Sequence, residues 1–507
     1  MAVGNYLMGI DAGCTTVKTV IFSLQGREVA VAREKLPNLH PAPGRVERDM
    51  EALWSLTKEV IIRALKMSNI PPREILGLGV SGHGDGLYLL DEDGEPVRNG
   101  VLSLDSRSSP LVKRWEEDGI VDEVFPIIGQ RLHACSPSSI LAWMKHEEEG
   151  SYNRARWILF CKDFIKFKLT NVICTDETDP SASLVNVRTR KYADEIFETL
   201  GIEECKGKLP EIIPGWRTCG EVTAQASRET GLMEGTPVAS GLHDIDATAL
   251  GSGCLENGQM AMIIGTWTIN EVIQDRPLLD PMKLCQTRTF GAPDRWLLLN
   301  ADPASAANLD WFIEQFCDHE RLRAERLGIS PHVLCDGEVE TVEVGAGGII
   351  YHPFLYGSLD MPKAKAGFYG IAGWHGRAHL LRALYEGIAF ATNMCVENLK
   401  RVTEIKEVRI AGGGARSKIW TQIFSDVTGY PIGVPDGTEL GARGAAMCAG
   451  ISIGVYKDHR AAVREATSIS RRHVPKSENE IRYKSIYSKF KDSIRDASRI
   501  WDRLQQK

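Results

Sequence analysis

Apolar and polar positions follow two periods that replace one another along the chain. Tyr6 to Ile10 is a short apolar run, Asp11-Ala12-Gly13-Cys14-Thr15-Thr16 is small and polar, and Val17 to Phe22 resumes the apolar run. That order predicts strand, turn and strand, with Gln25-Gly26 marking the next turn. From about Asp49 to Met67 the spacing changes, and Leu53, Leu56, Val60, Ile61, Ala64 and Leu65 recur at helical intervals. Further strands are predicted near Leu76–Ser81, Gly86–Leu90 and Trp157–Cys161. In the second half, Gln259 to Ile264 and Val272 flank a turn at Gly265-Thr266-Trp267-Thr268, and a long helix is predicted over His379 to Val402. Arg409 to Ala411 reads as a strand ending in Gly412-Gly413-Gly414, and Glu478 to Leu504 as a charged amphipathic helix packing on the body. Strands and helices alternate throughout, so the fold class is α/β.

Composition narrows the picture. The 507 residues exceed the roughly 250–300 at which one hydrophobic core stops growing, which predicts at least two domains. No low-complexity linker interrupts the chain, and the glycine-rich passage Gly241 to Gly253 is the best boundary candidate, as a packed hinge. No apolar run approaches the ~18 residues of a membrane helix. The 60 basic and 67 acidic residues sum to −7, with no basic block of the kind a nucleic-acid binder carries. Twelve scattered cysteines without a C-x-x-C pair argue against a zinc site or a disulfide framework. The expectation is a cytoplasmic protein with no nucleic-acid or membrane partner.

Two turns carry candidate chemistry. In IDAGCTTVK a carboxylate closes a strand and small hydroxyl residues follow, so backbone N–H groups can approach phosphate oxygens. Asp11 could serve Mg²⁺ directly or through water, and Lys18 could reach a phosphate; an ordinary hairpin with a capping Asp fits these residues equally. The loop Ile264-Gly265-Thr266-Trp267 repeats the theme in the other half, which suggests a duplicated architecture. Neither is a P-loop, because no G-x-x-x-x-G-K-[ST] occurs.

These stretches, with GLHDIDATALGSG, AGFYGIAGWHGRAHLLRALYEG and AGGGARSKIWTQIFSDVTGYPI followed by EL-GARGAA, resemble the FGGY carbohydrate kinases of the actin/hexokinase-like superfamily. The resemblance runs from Ile10 to about Gly450 and departs at Ile140, where the family usually has lysine, and at Leu384. It implies a duplicated, ribonuclease H-like two-domain fold with an interdomain cleft, divided as 1–245 and 246–507. It also implies an ATP-dependent sugar kinase using Mg²⁺. Residue by residue, it makes Asp244 the catalytic base and Asp11 the Mg²⁺-associated carboxylate. Gly13, Thr15, Thr16, Lys18, Gly265 and Thr266 fall to phosphate. Gly412, Gly413, Gly414 and Glu439 fall to the nucleotide, with Gly441, Ala442 and Ala445 lining the same pocket, or serving close helix packing.

The passage VSGHGDGLYLLDEDGEPVRNGVLSLDSRS is most similar to the branch of the family acting on L-xylulose and related keto-sugars. His83, Gly84, Asp85 and Asp105, together with Asp244, are the expected sugar contacts, although a D-x-R pair between Asp105 and Arg107 is also in view. L-Xylulose or a 3-keto-L-gulonate-like acid comes first as substrate, with erythritol, D-ribulose, D-xylulose and glycerol as alternatives. A non-sugar actin-like ATPase is the reading from a different class. The sequence leaves oligomeric state open, a homodimer included.

Overall fold

The computed structural model describes residues 5–505. The chain forms two compact units. The first takes the chain up to Asn257 together with Ile273–Leu298 and Gly437–Ser468; the second takes Gly258–Val272, Leu299–Asp436 and the segment from Ile469 onward. The expected division after residue 245 thus falls inside the first unit, and the expected hinge passage there is a strand running directly into a helix.

The first unit is built on six strands, β1 (Tyr6–Ala12), β2 (Thr16–Ser23), β3 (Glu28–Lys35), β4 (Ile75–Gly82), β5 (Thr218–Glu221) and β6 (Pro237–His243). Their spatial order is β5-β6-β4-β1-β2-β3. β1 is parallel to β4 and β4 to β6, while β2, β3 and β5 run antiparallel to their neighbours. Alternate residues of β1 and β2 bury Met8, Ile10, Val17 and Ile21 against Leu53, Val60 and Ile61 of helix α1 (Met50–Ser68). That helix starts where the Asp49 carboxylate accepts from the Ala52 N–H at 2.9 Å, an N-cap of the usual kind. The strand expected over Trp157–Cys161 ends at Leu159, because Cys161 opens helix α2 (Cys161–Thr170). Asp163 of its first turn accepts the Phe160 N–H at 3.3 Å and so fixes the chain's turn.

Helices α3 (Asp244–Gly251) and α4 (Leu440–Ser452) belong to the same unit. A β-carbon on Gly9 or Gly79 would overlap the carbonyls of Ala442 and Ala445, and one on Gly444 would overlap the Ala247 carbonyl. The small residues of α4 therefore serve direct backbone approach to β1, β4 and α3. For Ala442 and Ala445 the contacts are those of close helix packing, one of the two readings open from the sequence.

The second unit repeats the plan with β7 (Gln259–Ile264), β8 (Thr268–Gln274), β9 (Trp296–Asp302), β10 (Glu407–Ala411), β11 (Ile432–Pro435) and β12 (Ile469–His473). β7 and β8 form a hairpin, and β7, β10 and β11 run parallel, as β1, β4 and β6 do. The long helix expected here spans Arg377–Lys400. The tail helix, Ser477–Gln505, buries Tyr483, Phe490, Ile494, Ala497 and Trp501. Among the described residues no helix is long and apolar enough to cross a membrane.

Candidate active site

Three parallel strands of the first unit end side by side. Asp11 of β1 lies opposite Ser81 of β4, and Ala12 lies opposite Gly82. On the other side of β4, Leu242 lies opposite Ser81 and His243 opposite Gly82. The His83 N–H donates to the Ala12 carbonyl at 2.9 Å. Asp11, His83 and the His243-Asp244 pair thus share the carboxyl edge of the sheet, the edge at which open α/β sheets bind ligands.

Asp11 accepts from the Ser81 hydroxyl at 3.0 Å and from Lys18 Nζ at 3.3 Å. Burial pushes its carboxyl up; Lys18 and Ser81 draw it back only in part, and nearby Asp244 adds to the rise. Lys18 also reaches Glu439 at 3.1 Å, and the two carboxylates outweigh burial and keep it an ammonium. Glu439, which the resemblance gives to the nucleotide, is buried in the first unit against Lys18 and, at 3.6 Å, Arg33. The Gly13–Thr16 loop closes with Gly13 N–H donating to the Thr16 carbonyl at 3.0 Å, and Thr15 is exposed at its tip. Arg48, fully buried, donates to the carbonyls of Gly13 (3.0 Å) and Cys14, and to Asn38 Oδ1 (2.7 Å). Arg48 thereby occupies the carbonyl acceptors of the loop.

Asp244 is the first residue of α3, where a carboxylate suits the helix dipole. Its side chain is 32% exposed, and Oδ1 lies 3.2 Å from His243 Nε2. Burial would raise the Asp244 carboxyl, but the His243 hydrogen bond and charge, with His83, hold it below the usual carboxylate range. Burial would likewise lower His243, yet Asp244 and Asp179 raise it to about 9. Beneath the pair, Lys162 is wholly buried among Asp163 (2.9 Å), Asp176 (2.8 Å) and Asp179 (2.5 Å). Thr178 donates to Asp176 at 2.6 Å and accepts the His243 N–H at 2.8 Å, which links this floor to the end of β6.

Of the expected sugar contacts, His83 is buried with Nε2 3.0 Å from the Tyr88 hydroxyl; burial and Arg48 lower it to about 4, so it is neutral. Gly84 packs against the His243 ring, which a β-carbon would overlap. Asp85 adopts a left-handed conformation (φ 55°) and meets Arg288 at 3.4 Å. Asp105 departs from expectation. It accepts from Arg107 Nε and Nη2, both at 2.9 Å, from the Arg107 N–H and from the Val46 N–H. With its side chain inaccessible, Asp105 anchors a loop and has no oxygen to offer a sugar. Arg107 in turn pairs with Glu47 at 2.7 Å and lies 5.3 Å from the Trp143 ring centre.

In the second unit, Gly265 N–H donates to the Trp267 carbonyl at 3.0 Å and Thr266 is exposed at the tip of the β7–β8 hairpin. β10 ends at Ala411, in register with Ile263 of β7, so the Gly412–Gly414 turn follows the strand beside that hairpin. Gly412 and Gly413 are exposed, while Gly414 is buried and packs on Ile264.

Four participants escaped the sequence analysis. Arg48 and Lys162 look like ordinary surface cations in ERDM and CKDF, although the lysines 162 and 166 straddling Phe164-Ile165 signal burial. Arg288 sits in the plain strand Gln286–Thr289, and His243 beside Asp244 drew no role. Among the described residues no group of three or more His, Cys, Asp or Glu is placed to hold a metal.

Residues 6–251 match the FGGY family of carbohydrate kinases, N-terminal domain, and residues 260–453 its C-terminal domain. A probable L-xylulose kinase of Haemophilus influenzae is 34% identical over 451 residues, 88% of this chain and 90% of that protein. The L-xylulose/3-keto-L-gulonate kinase of Escherichia coli is 33% identical over 495 residues, 97% of each. Among solved structures, a gluconate kinase from Lactobacillus acidophilus superposes with a TM-score of 0.88 at 20% identity, covering 99% of both chains, a likeness of fold. Two family domains covering most of the chain, on the duplicated α/β plan described above, make this protein a member of the FGGY family of carbohydrate kinases and an ATP-using sugar kinase.

Proposed function

We propose that the chain transfers the γ-phosphoryl of ATP to a hydroxyl of L-xylulose or of 3-keto-L-gulonate, with Asp244 as the base. The observation that carries this is a half-exposed carboxylate, kept anionic by His243, at the strand edge that also presents Asp11 and His83. The sugar oxygen bonds to the γ-phosphorus as the bridge to the β-phosphate breaks. Asp244 takes the hydroxyl proton, and ADP leaves with the bridging oxygen. The names of the two relatives support the choice of sugar. Arg288 favours the acid as one of the pair, since beyond Gln286 at 3.1 Å and Asp85 at 3.4 Å its guanidinium leaves Nε without a partner.

Gly13, Thr15 and Thr16 in the first unit, and Gly265, Thr266 and Gly412–Gly414 in the second, are proposed for the nucleotide. For Mg²⁺ the donor chemistry fits: Asp11 supplies one hard oxygen site, and Mg²⁺ commonly takes one or two carboxylates with the remainder from phosphates and water. Bound there, the ion would neutralise charge on the β- and γ-phosphates. The twelve cysteines, none in a disulfide, suit a reducing cytoplasm.

The test is ATP consumption with Mg²⁺ across pentuloses, polyols and keto-acids, for the wild type and Asp244→Asn. Preference for L-xylulose or 3-keto-L-gulonate is expected. The variant is expected to lose at least ~10²-fold, the lower range for a general base. Preference for glycerol or erythritol would overturn the substrate; a variant within about threefold would overturn the base.

A further inference from the structure

We propose that His243 is a positioning residue for phosphoryl transfer, its imidazolium gripping one oxygen of Asp244 so that the other is turned to the acceptor hydroxyl. The proposal rests on Asp244 being the base. Four observations carry it.

The first is the pair itself, with Nε2 at 3.2 Å from Oδ1. The second is the ring's other side. Nδ1 is buried with no hydrogen-bond partner, and it stands 3.8 Å from Oδ2 of Asp246, whose own two oxygens also lack partners. The imidazole is therefore bracketed by carboxyl groups, and only the Asp244 side opens toward solvent: the Asp246 side chain is 1% exposed against 32% for Asp244. The third is the backbone. The ring hangs from the last residue of β6, held in register with Gly82 and by its N–H bond to Thr178. The fourth is Gly84, whose lack of a side chain lets the backbone after β4 lie on the ring.

A histidine that merely filled space would be neutral in such a site, as His83 is. The groups facing the pair decide otherwise. Asp244 and Asp179 favour the cation, Arg288 and burial oppose it, and the sum lifts His243 to about 9. Asp244 is in turn lowered by His243 and His83, and it lies near Asp11. Asp246 is pushed well upward, first by burial, with Asp176 and Asp179 adding and His243 and Arg288 opposing. The cation thus favours the ionised base and limits its rotation about the side-chain bonds, the two things an oriented proton acceptor needs.

The experiment compares wild type, His243→Ala, His243→Gln and Asp244→Asn by pH profiles of kcat and kcat/KM, with sugar and ATP at several concentrations. For His243→Ala the expected result is a kcat loss of about 10-fold, smaller than the ~10²–10⁴ that the general base itself contributes, with KM within about threefold. Its acid limb in kcat/KM should move to higher pH, because Asp244 loses the cation that lowers it. Gln restores an N–H donor without charge, so it should recover kcat while the limb stays shifted. An unmoved limb and kcat in His243→Ala would overturn the proposal, as would a rise in KM alone, which would make His243 a sugar contact. Should the alanine variant fail to fold, His243→Gln and nitrogen-15 NMR of the wild-type imidazoles decide. One ring, absent from His243→Gln, should stay protonated above pH 8; its deprotonation near pH 6.5 would overturn the proposal. Asp244→Asn separates the failures: activity near wild type there removes the base itself, whatever His243 does.

Discussion

At the scale of single residues, the site separates groups of like chemistry by what surrounds them. Asp105 and Asp85 belong to neighbouring parts of one sequence motif, yet four hydrogen bonds close Asp105 while Asp85 meets a guanidinium only at 3.4 Å. Arg288 donates to Gln286 at 3.1 Å as well, and its unpartnered Nε is the donor proposed for an anionic substrate. Arg288→Gln is expected to lower kcat/KM for 3-keto-L-gulonate by about tenfold or more relative to L-xylulose, as loss of a charged hydrogen bond of ~1.5–3 kcal/mol would. Equal losses on both sugars would reduce Arg288 to a support for Asp85. Asp11 and the glycine turns were legible in the sequence because each closes a strand with small residues beyond it, and Asp244 because it stands in a motif of the family. Arg288 was not, because its partner lies some two hundred residues away in the chain.

At the scale of elements, periodicity read well wherever one face is buried and the other wet. The helices Met50–Ser68 and Ser477–Gln505 and the strand Gln259–Ile264 fall within a residue or two of expectation. α4 was harder, because a helix of glycine and alanine suits either a ligand or a close neighbour. Gly444 faces the backbone of α3, which cannot move aside as a side chain can. Gly444→Ala is expected to destabilise the fold by about 1–3 kcal/mol, the range for overpacking, in urea unfolding followed by circular dichroism. A change below 0.5 kcal/mol, typical of a surface site, would mean that α3 and α4 slide freely.

At the scale of the molecule, buried histidines tie stability to pH. His83 and His352 are lowered to about 4, chiefly by burial, and so is His459, whose Nε2–H donates to the Gly291 carbonyl at 3.1 Å beside Trp216. Each folded-state value lies below the unfolded value near 6.5, so the unfolded chain binds protons first on acidification. Their contribution is complete above pH 6.5 and is lost as pH falls toward 4. The melting temperature is expected to drop across that window, and His459→Gln should flatten the drop. A profile identical to wild type would show that His459 already titrates normally in the fold.

By itself the sequence determined the α/β class, the repeated strand–turn–strand plan, the family and the position of Asp244. These follow from short-range period, from turn residues and from motifs contiguous in the chain. Tertiary structure alone decided which charges are available. Parallel pairing of β1, β4 and β6 brought Asp11, His83 and His243 to one edge, and buried cations from distant segments then set each carboxylate's surroundings. Desolvation and ion pairing depend on neighbours in space, so Asp105 could be closed, Asp244 held ionised and His243 kept charged only once the chain had folded.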